Sequence, residues 1–176
     1  MSSIMDASMA SRSSTGKRAP PGAAKCAPLL PPKAGSRRFI DDYLLYLLSR
    51  ASAIASGEFH AQLRARKIPL PRWRVLAVLD GTDGLTVGEL AAACLFKQPT
   101  MTKALDRLEA EGYVARESAG RDRRRVRVVA TEKGRALVAG LIAEAKAHDA
   151  RVLKHHSATE KKHLKNALRR LIARET

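Results

Sequence analysis

Residues 120 to 134, GRDRRRVRVVATEKG, set Arg121, Arg123, Arg124, Arg125 and Arg127 around a single acid, Asp122, on a background of alternating valines. Guanidinium groups at this density do one kind of chemistry well, which is pairing with phosphate or carboxylate oxygens through forked N–H donors. Side by side they repel unless a polyanion or an internal counter-charge intervenes. Asp122 suits the second role: a carboxylate accepting from one neighbour stiffens the loop and aims the other arginines outward. An exposed pair is worth only about 0–1 kcal/mol, so its benefit is orientation. A second group lies upstream in QPTMTKALDRL. There Gln98, Thr100, Thr102, Lys103 and Arg107 occupy one side of a helical pattern whose other side is Met101, Ala104, Leu105 and Leu108. Short donors and acceptors followed by two cations are suited to base edges and phosphates. The plain alternative for both groups is a solvated charged surface, and the flanking elements decide between them.

Composition narrows the partner. The 176 residues carry a formal net charge of +16, which points to a polyanion such as nucleic acid. Aromatic residues make up only 4%, too few for a platform that stacks single strands. No nucleophile–base pair or phosphate-cradling glycine loop is visible, so neither an enzyme nor a cofactor is expected. His155 and His156 are adjacent, and His148 and His163 lack ligand spacing, so these read as exposed polar residues rather than a metal site. Cys26 and Cys94 form no disulfide framework and suit a reducing, cytoplasmic setting. No apolar run is long enough to cross a bilayer. SRRFIDDYLLYLLSRASAIA has the twin arginines of an export signal, but Asp41 and Asp42 interrupt it and it begins late, at Arg37; an amphipathic helix is the expectation.

The elements that position the two groups follow from periodicity and caps. Residues 1–36 are rich in Ser, Ala and Pro and read as a flexible basic tail. From Phe39 the residues Ile40, Tyr43, Leu44, Leu47, Leu48, Ala51, Ile54, Phe59 and Leu63 make one apolar stripe, predicting a single helix to about Arg66. Pro71 opens a second helix, closed by Gly81. Thr86 with Glu89 three residues on is a capping box. It starts a short helix with Val87, Leu90, Ala91 and Cys94 on one face, and after a tight turn Pro99 opens the next. YVARES and RRVRVVAT then alternate as a hairpin, with Val126, Val128 and Ala130 facing one way and the arginines at its tip. Thr131 caps a long helix, and Ser157 with Glu160 caps the last, where Leu164, Leu168, Leu171 and Ile172 form a narrow stripe.

Helix, turn, helix and hairpin in this order make a winged helix-turn-helix in a mainly α chain. Its second helix enters the major groove of double-stranded DNA while the wing follows the adjacent backbone or minor groove. A basic protein that coats nucleic acid regardless of sequence, and a winged helix used for protein contact, are the alternatives. The ordered polar face from Thr100 to Arg107 would be unnecessary for the first.

The segment LTVGELAAACLFKQPTMTKALDRLEAEGYVARESAGRDRRRVRVVATEKGRAL resembles the DNA-binding half of the MarR family of bacterial transcriptional regulators, most clearly in DRLEAEGYV, DRR and TEKGRAL. The likeness extends over residues 39–176. It implies a homodimer built from residues 37–80 and 132–176, with residues 81–131 as the DNA-binding domain and a pseudo-palindromic operator. The long amphipathic flanks, too few to bury one another within one chain, agree. The resemblance also implies a repressor released by a small aromatic anion bound between the dimerisation helices and the winged helix. Phe59, His60, Arg72 and Trp73 are the candidate effector residues. GEFHAQLRARKIPLPRWRVLAVL is similar to the branch of the family that senses hydroxycinnamate-type acids or their coenzyme A thioesters. Redox sensing is not expected, because Cys94 falls on a buried face.

Overall fold

The computed structural model describes residues 38–118 and 126–173; the basic tail and the arginine run of residues 121–125 lie outside them. In chain order the elements are α1 (Phe39–Asp42), α2 (Leu44–Ala65), α3 (Leu70–Leu79), α4 (Val87–Ala93), α5 (Gln98–Ala110), β1 (Val114–Ser118), β2 (Val126–Ala130), α6 (Glu132–Val152) and α7 (Ala158–Ile172).

Where the chain supplies caps, helices begin as expected. The Thr86 hydroxyl accepts from the Glu89 amide while the Glu89 carboxylate accepts from the Thr86 amide, and Ser157 and Glu160 repeat the arrangement at α7. Thr131 accepts from the Gly134 amide and donates its hydroxyl to the Gly112 carbonyl at 2.8 Å. That second bond ties the start of α6 to the turn between α5 and β1. Gly134 is required there, because a Cβ would lie 2.2 Å from the Tyr113 carbonyl oxygen.

Gly112, at φ 73°, closes α5 with paired bonds from the Gly112 amide to Glu109 O and from the Tyr113 amide to Leu108 O. The same closure ends α2 at Lys67 and α4 at Leu95, with φ of 56° and 57°. Neither is glycine, although the left-handed region costs an L-residue about 1–2 kcal/mol.

The single helix expected from residue 39 to 66 is broken at Tyr43, whose ψ of 112° is extended. Arg38 pairs with Asp41 at 2.8 Å, and the Phe39 and Tyr43 rings stack at 4.9 Å, which organises α1 as a separate turn. With neither proline nor glycine at the break, hydrophobic spacing runs through it unchanged.

β1 and β2 pair antiparallel from Val114↔Ala130 to Ser118↔Val126. Leu85 adds an isolated bridge to Val128, joining the segment before α4 to the sheet. Gly84 makes this approach possible: at φ 94°, an added Cβ would come within 2.7 Å of Val129 Cγ1.

One core is shared by Val75, Leu76 and Leu79 of α3, Leu90 and Ala91 of α4, Met101, Leu105 and Leu108 of α5, Val114 and Val128 of the hairpin, and Val138 of α6. α3 thus packs into the same core as the helix-turn-helix and the hairpin. Phe59, Leu63, Ile68 and Leu141 form a second cluster between α2 and α6. The flanking apolar stripes stay open within the single chain, as expected of elements too few to bury one another. Tyr43, Leu44, Leu47 and Ile54 on the first stripe are exposed, as are Leu164, Leu171 and Ile172 of α7; no described element covers them. Val126 is also exposed, because the hairpin has run past the edge of the core by that point. No described helix is long and apolar enough to cross a membrane.

Candidate nucleic-acid interface and effector cavity

The periodicity of α5 buries Met101, Leu105 and Leu108 and leaves Gln98, Thr100, Thr102, Lys103 and Arg107 exposed together on the outer side. Two of the five already have intrahelical partners. The Thr102 hydroxyl donates to the Gln98 carbonyl at 3.1 Å, leaving its oxygen free to accept. Arg107 Nε donates to Glu111 at 2.8 Å, yet the side chain remains 69% exposed, so further guanidinium N–H groups face solvent.

Glu111 is a junction. Its second oxygen accepts from Arg72 of α3. The hydrogen bond from Arg107, with the charge of Arg72 behind it, holds this carboxyl below its ordinary range. Arg116 of β1 forms a parallel clamp to Asp106, at 2.6 Å, and to Glu109. These bonds, Asp106 first, push the Arg116 guanidinium up. Asp106 and Glu109 fix the base of the hairpin against the outer flank of α5. Helix and wing are thereby held in one orientation. Arg121, Asp122, Arg123, Arg124 and Arg125 lie outside the described residues, between strand ends at Ser118 and Val126.

The candidate effector residues separate. Phe59, His60 and Trp73 line one open cavity of about 330 Å³, completed by Ser52, Ser56, His148, Asp149 and Val152. Phe59 and Trp73 meet edge to face at 5.1 Å. Burial, then the charges of Arg74 and Arg64, pushes the His60 imidazole below its usual range, so its neutral form and a positive local field go together. Arg72 is not in the cavity. Its guanidinium lies over the Tyr113 ring at 4.6 Å and pairs with Glu111, because successive residues of α3 point to different sides. His148, read from sequence as an exposed polar residue, is buried and lines the same cavity. Ser52, Ser56 and Asp149 had no sequence signal either; polar residues on amphipathic helices carry no mark of which segment they will face. Cys94 is buried, and burial pushes its thiol up, the condition of an unreactive cysteine.

Comparison with known proteins agrees with this geometry. The MarR family model matches residues 67–125, from the end of α2 to the hairpin tip. The HTH-type transcriptional repressor Rv2887 of Mycobacterium tuberculosis is 34% identical over 131 residues, spanning 74% of this chain and 94% of that protein. The crystal structure of the MarR family regulator SPO1453 from Silicibacter pomeroyi superposes with a TM-score of 0.70 at 38% identity, covering 80% of this chain and all of that one. Rv2887 in complex with p-aminosalicylic acid gives a TM-score of 0.60 at 33% identity, over 73% of this chain and 98% of that chain. In core, hairpin and helix order as in sequence, the chain belongs to the MarR family of winged helix-turn-helix transcriptional regulators.

Proposed function

We propose that this regulator is a homodimeric, cytoplasmic repressor that grips double-stranded DNA through α5 and the arginine hairpin and releases it when a small aromatic acid enters the cavity beside Trp73. The bare apolar faces of α1, α2 and α7 support dimerisation through the segments 37–80 and 132–176. A two-fold dimer requires a pseudo-palindromic operator with half-sites about 34 Å apart. Gln98, Thr100, Thr102, Lys103 and Arg107 read or position the groove, while Arg121, Arg123, Arg124 and Arg125, braced by Asp122, hold backbone phosphates. The tail of residues 1–36 adds diffuse attraction.

One observation carries the effector reading. The cavity holds an aromatic pair and two imidazoles, with the charges of Arg74 and Arg64 acting on His60, and the relative Rv2887 has been solved with p-aminosalicylic and salicylic acids. About 330 Å³ suits a single-ring acid. In a coenzyme A thioester only the acyl ring would enter and the nucleotide would remain outside. Arg72, held by Glu111, takes no part in the contact.

Fluorescence anisotropy on promoter and random duplexes tests the proposal. Thr100→Ala or Lys103→Ala should change preference among sites, with each lost base contact costing about 1–3 kcal/mol. Arg124→Ala should weaken all duplexes alike and reduce the salt slope by about one. Equal affinity for random and promoter DNA would support the sequence-indifferent coating protein instead.

A further inference from the structure

His148 sits on α6 in the wall of the cavity, almost wholly shielded from solvent at 7% exposure. Its Nε2 has no hydrogen-bond partner among the described residues. A buried polar nitrogen left in this state is costly, and native folds keep one where strain, a functional role or a bound water, ion or ligand accounts for it. The chain itself indicates the chemistry of that molecule. The Glu58 carboxylate approaches Nε2 to 3.6 Å, too long for a hydrogen bond, and its side chain is 74% exposed. A carboxylate is therefore drawn to this nitrogen but does not complete the contact.

The surroundings favour an anion carried on a ring. Phe59 lies 5.8 Å from the His148 ring, centroid to centroid, and Trp73 packs on the other side of Phe59. Asp149, the cavity's own acid, is neutralised by Lys165 at 2.6 Å. The Ser56 hydroxyl donates to the Ser52 carbonyl at 2.7 Å, so its proton is committed and it presents an acceptor. Arg64 and Arg74 supply positive potential around His60. Of the polar groups lining this cavity, His148 has the nitrogen that is buried without a hydrogen-bond partner among the described residues.

We propose that His148 is the residue that selects the acid: its Nε2–H donates to the carboxylate of a single-ring aromatic acid lying against Phe59 and Trp73, which takes the position Glu58 approaches from outside. The inference rests on reading this cavity as the effector site.

Trp73 is the chain's single tryptophan, so its fluorescence reports on the cavity directly. The full-length protein is titrated with salicylate and with its uncharged amide, salicylamide. The wild-type chain should prefer salicylate at least tenfold. His148→Phe, which keeps a ring of similar size, should abolish that preference by weakening salicylate alone. Glu58→Gln, on an exposed side chain, should tighten salicylate several-fold by removing the competing charge. Undiminished preference in His148→Phe, or salicylate affinity unaltered in Glu58→Gln, overturns the assignment even though the cavity binds acids. No saturable quenching of the wild-type chain by salicylate overturns the effector reading and this assignment together. If His148→Phe fails to fold, Glu58→Gln decides the matter.

Discussion

Glu111 shows how a single side chain can serve two elements. It lies just past the end of α5, accepts from Arg107 of that helix and from Arg72 of α3, and is held below the ordinary carboxylate range chiefly by the Arg107 hydrogen bond. A depressed folded value means that the charged form stabilises the fold. The contribution is complete above the unfolded carboxylate value, about 4.3, and is lost as pH falls through the lower folded value. Glu111→Gln should therefore lower the melting temperature at neutral pH slightly, by the equivalent of about 1 kcal/mol or less given its partial exposure. It should also reduce the loss of stability on acidification, which thermal melts between pH 7 and pH 3 would show. Glu160, lowered first by its bond from the Ser157 backbone and then by the Ser157 hydroxyl, adds to the acid limb in both proteins and sets the remaining slope.

At the scale of elements, the approach of α6 to the α5–β1 turn decides how the winged helix is closed. Thr131 and Gly134 act together: the hydroxyl bridges the Gly112 carbonyl and the Gly134 amide, and the missing side chain lets Tyr113 O come close. Gly134→Ala must push these segments apart against backbone rather than against a flexible side chain. Overpacking of this kind costs about 1–3 kcal/mol, measurable by urea denaturation. A destabilisation no larger than that of Gly140→Ala, where an added Cβ meets nothing within 4 Å, would contradict the account. The clamp from Arg116 to Asp106 and Glu109 belongs at this scale as well, since it fixes β1 on α5.

For the whole molecule, the largest unpaired feature is the apolar surface of α1, α2 and α7. Phe39 at 77%, Leu45 at 60% and Ile172 at 73% exposure exceed what scattered surface residues explain. A dimer joined there has a melting temperature that rises with protein concentration. Leu171→Asp should remove that dependence, yield a monomer by light scattering, and weaken operator binding tenfold or more, because one half-site is then held without its twin. A concentration-independent melt in the wild-type chain would contradict dimerisation through this surface.

The sequence by itself determined what depends on neighbours within about four residues. The caps at Thr86, Thr131 and Ser157, the inner face of α5 and the alternation of the hairpin are local, because helix and strand periods place those side chains before any tertiary contact forms. The polar outer face of α5 was legible for the same reason. Tertiary structure alone decided which segments meet: Leu85 bridging Val128, Arg72 turning from the cavity to Glu111, and His148 joining Ser52, Phe59 and Trp73 around one space. These contacts cross long stretches of chain, and a histidine on an amphipathic helix has the same pattern whether it faces water or a cavity. The end of α2 near Arg66 was legible, but the left-handed closures at Lys67 and Leu95 were not, because that backbone conformation is normally signalled by glycine.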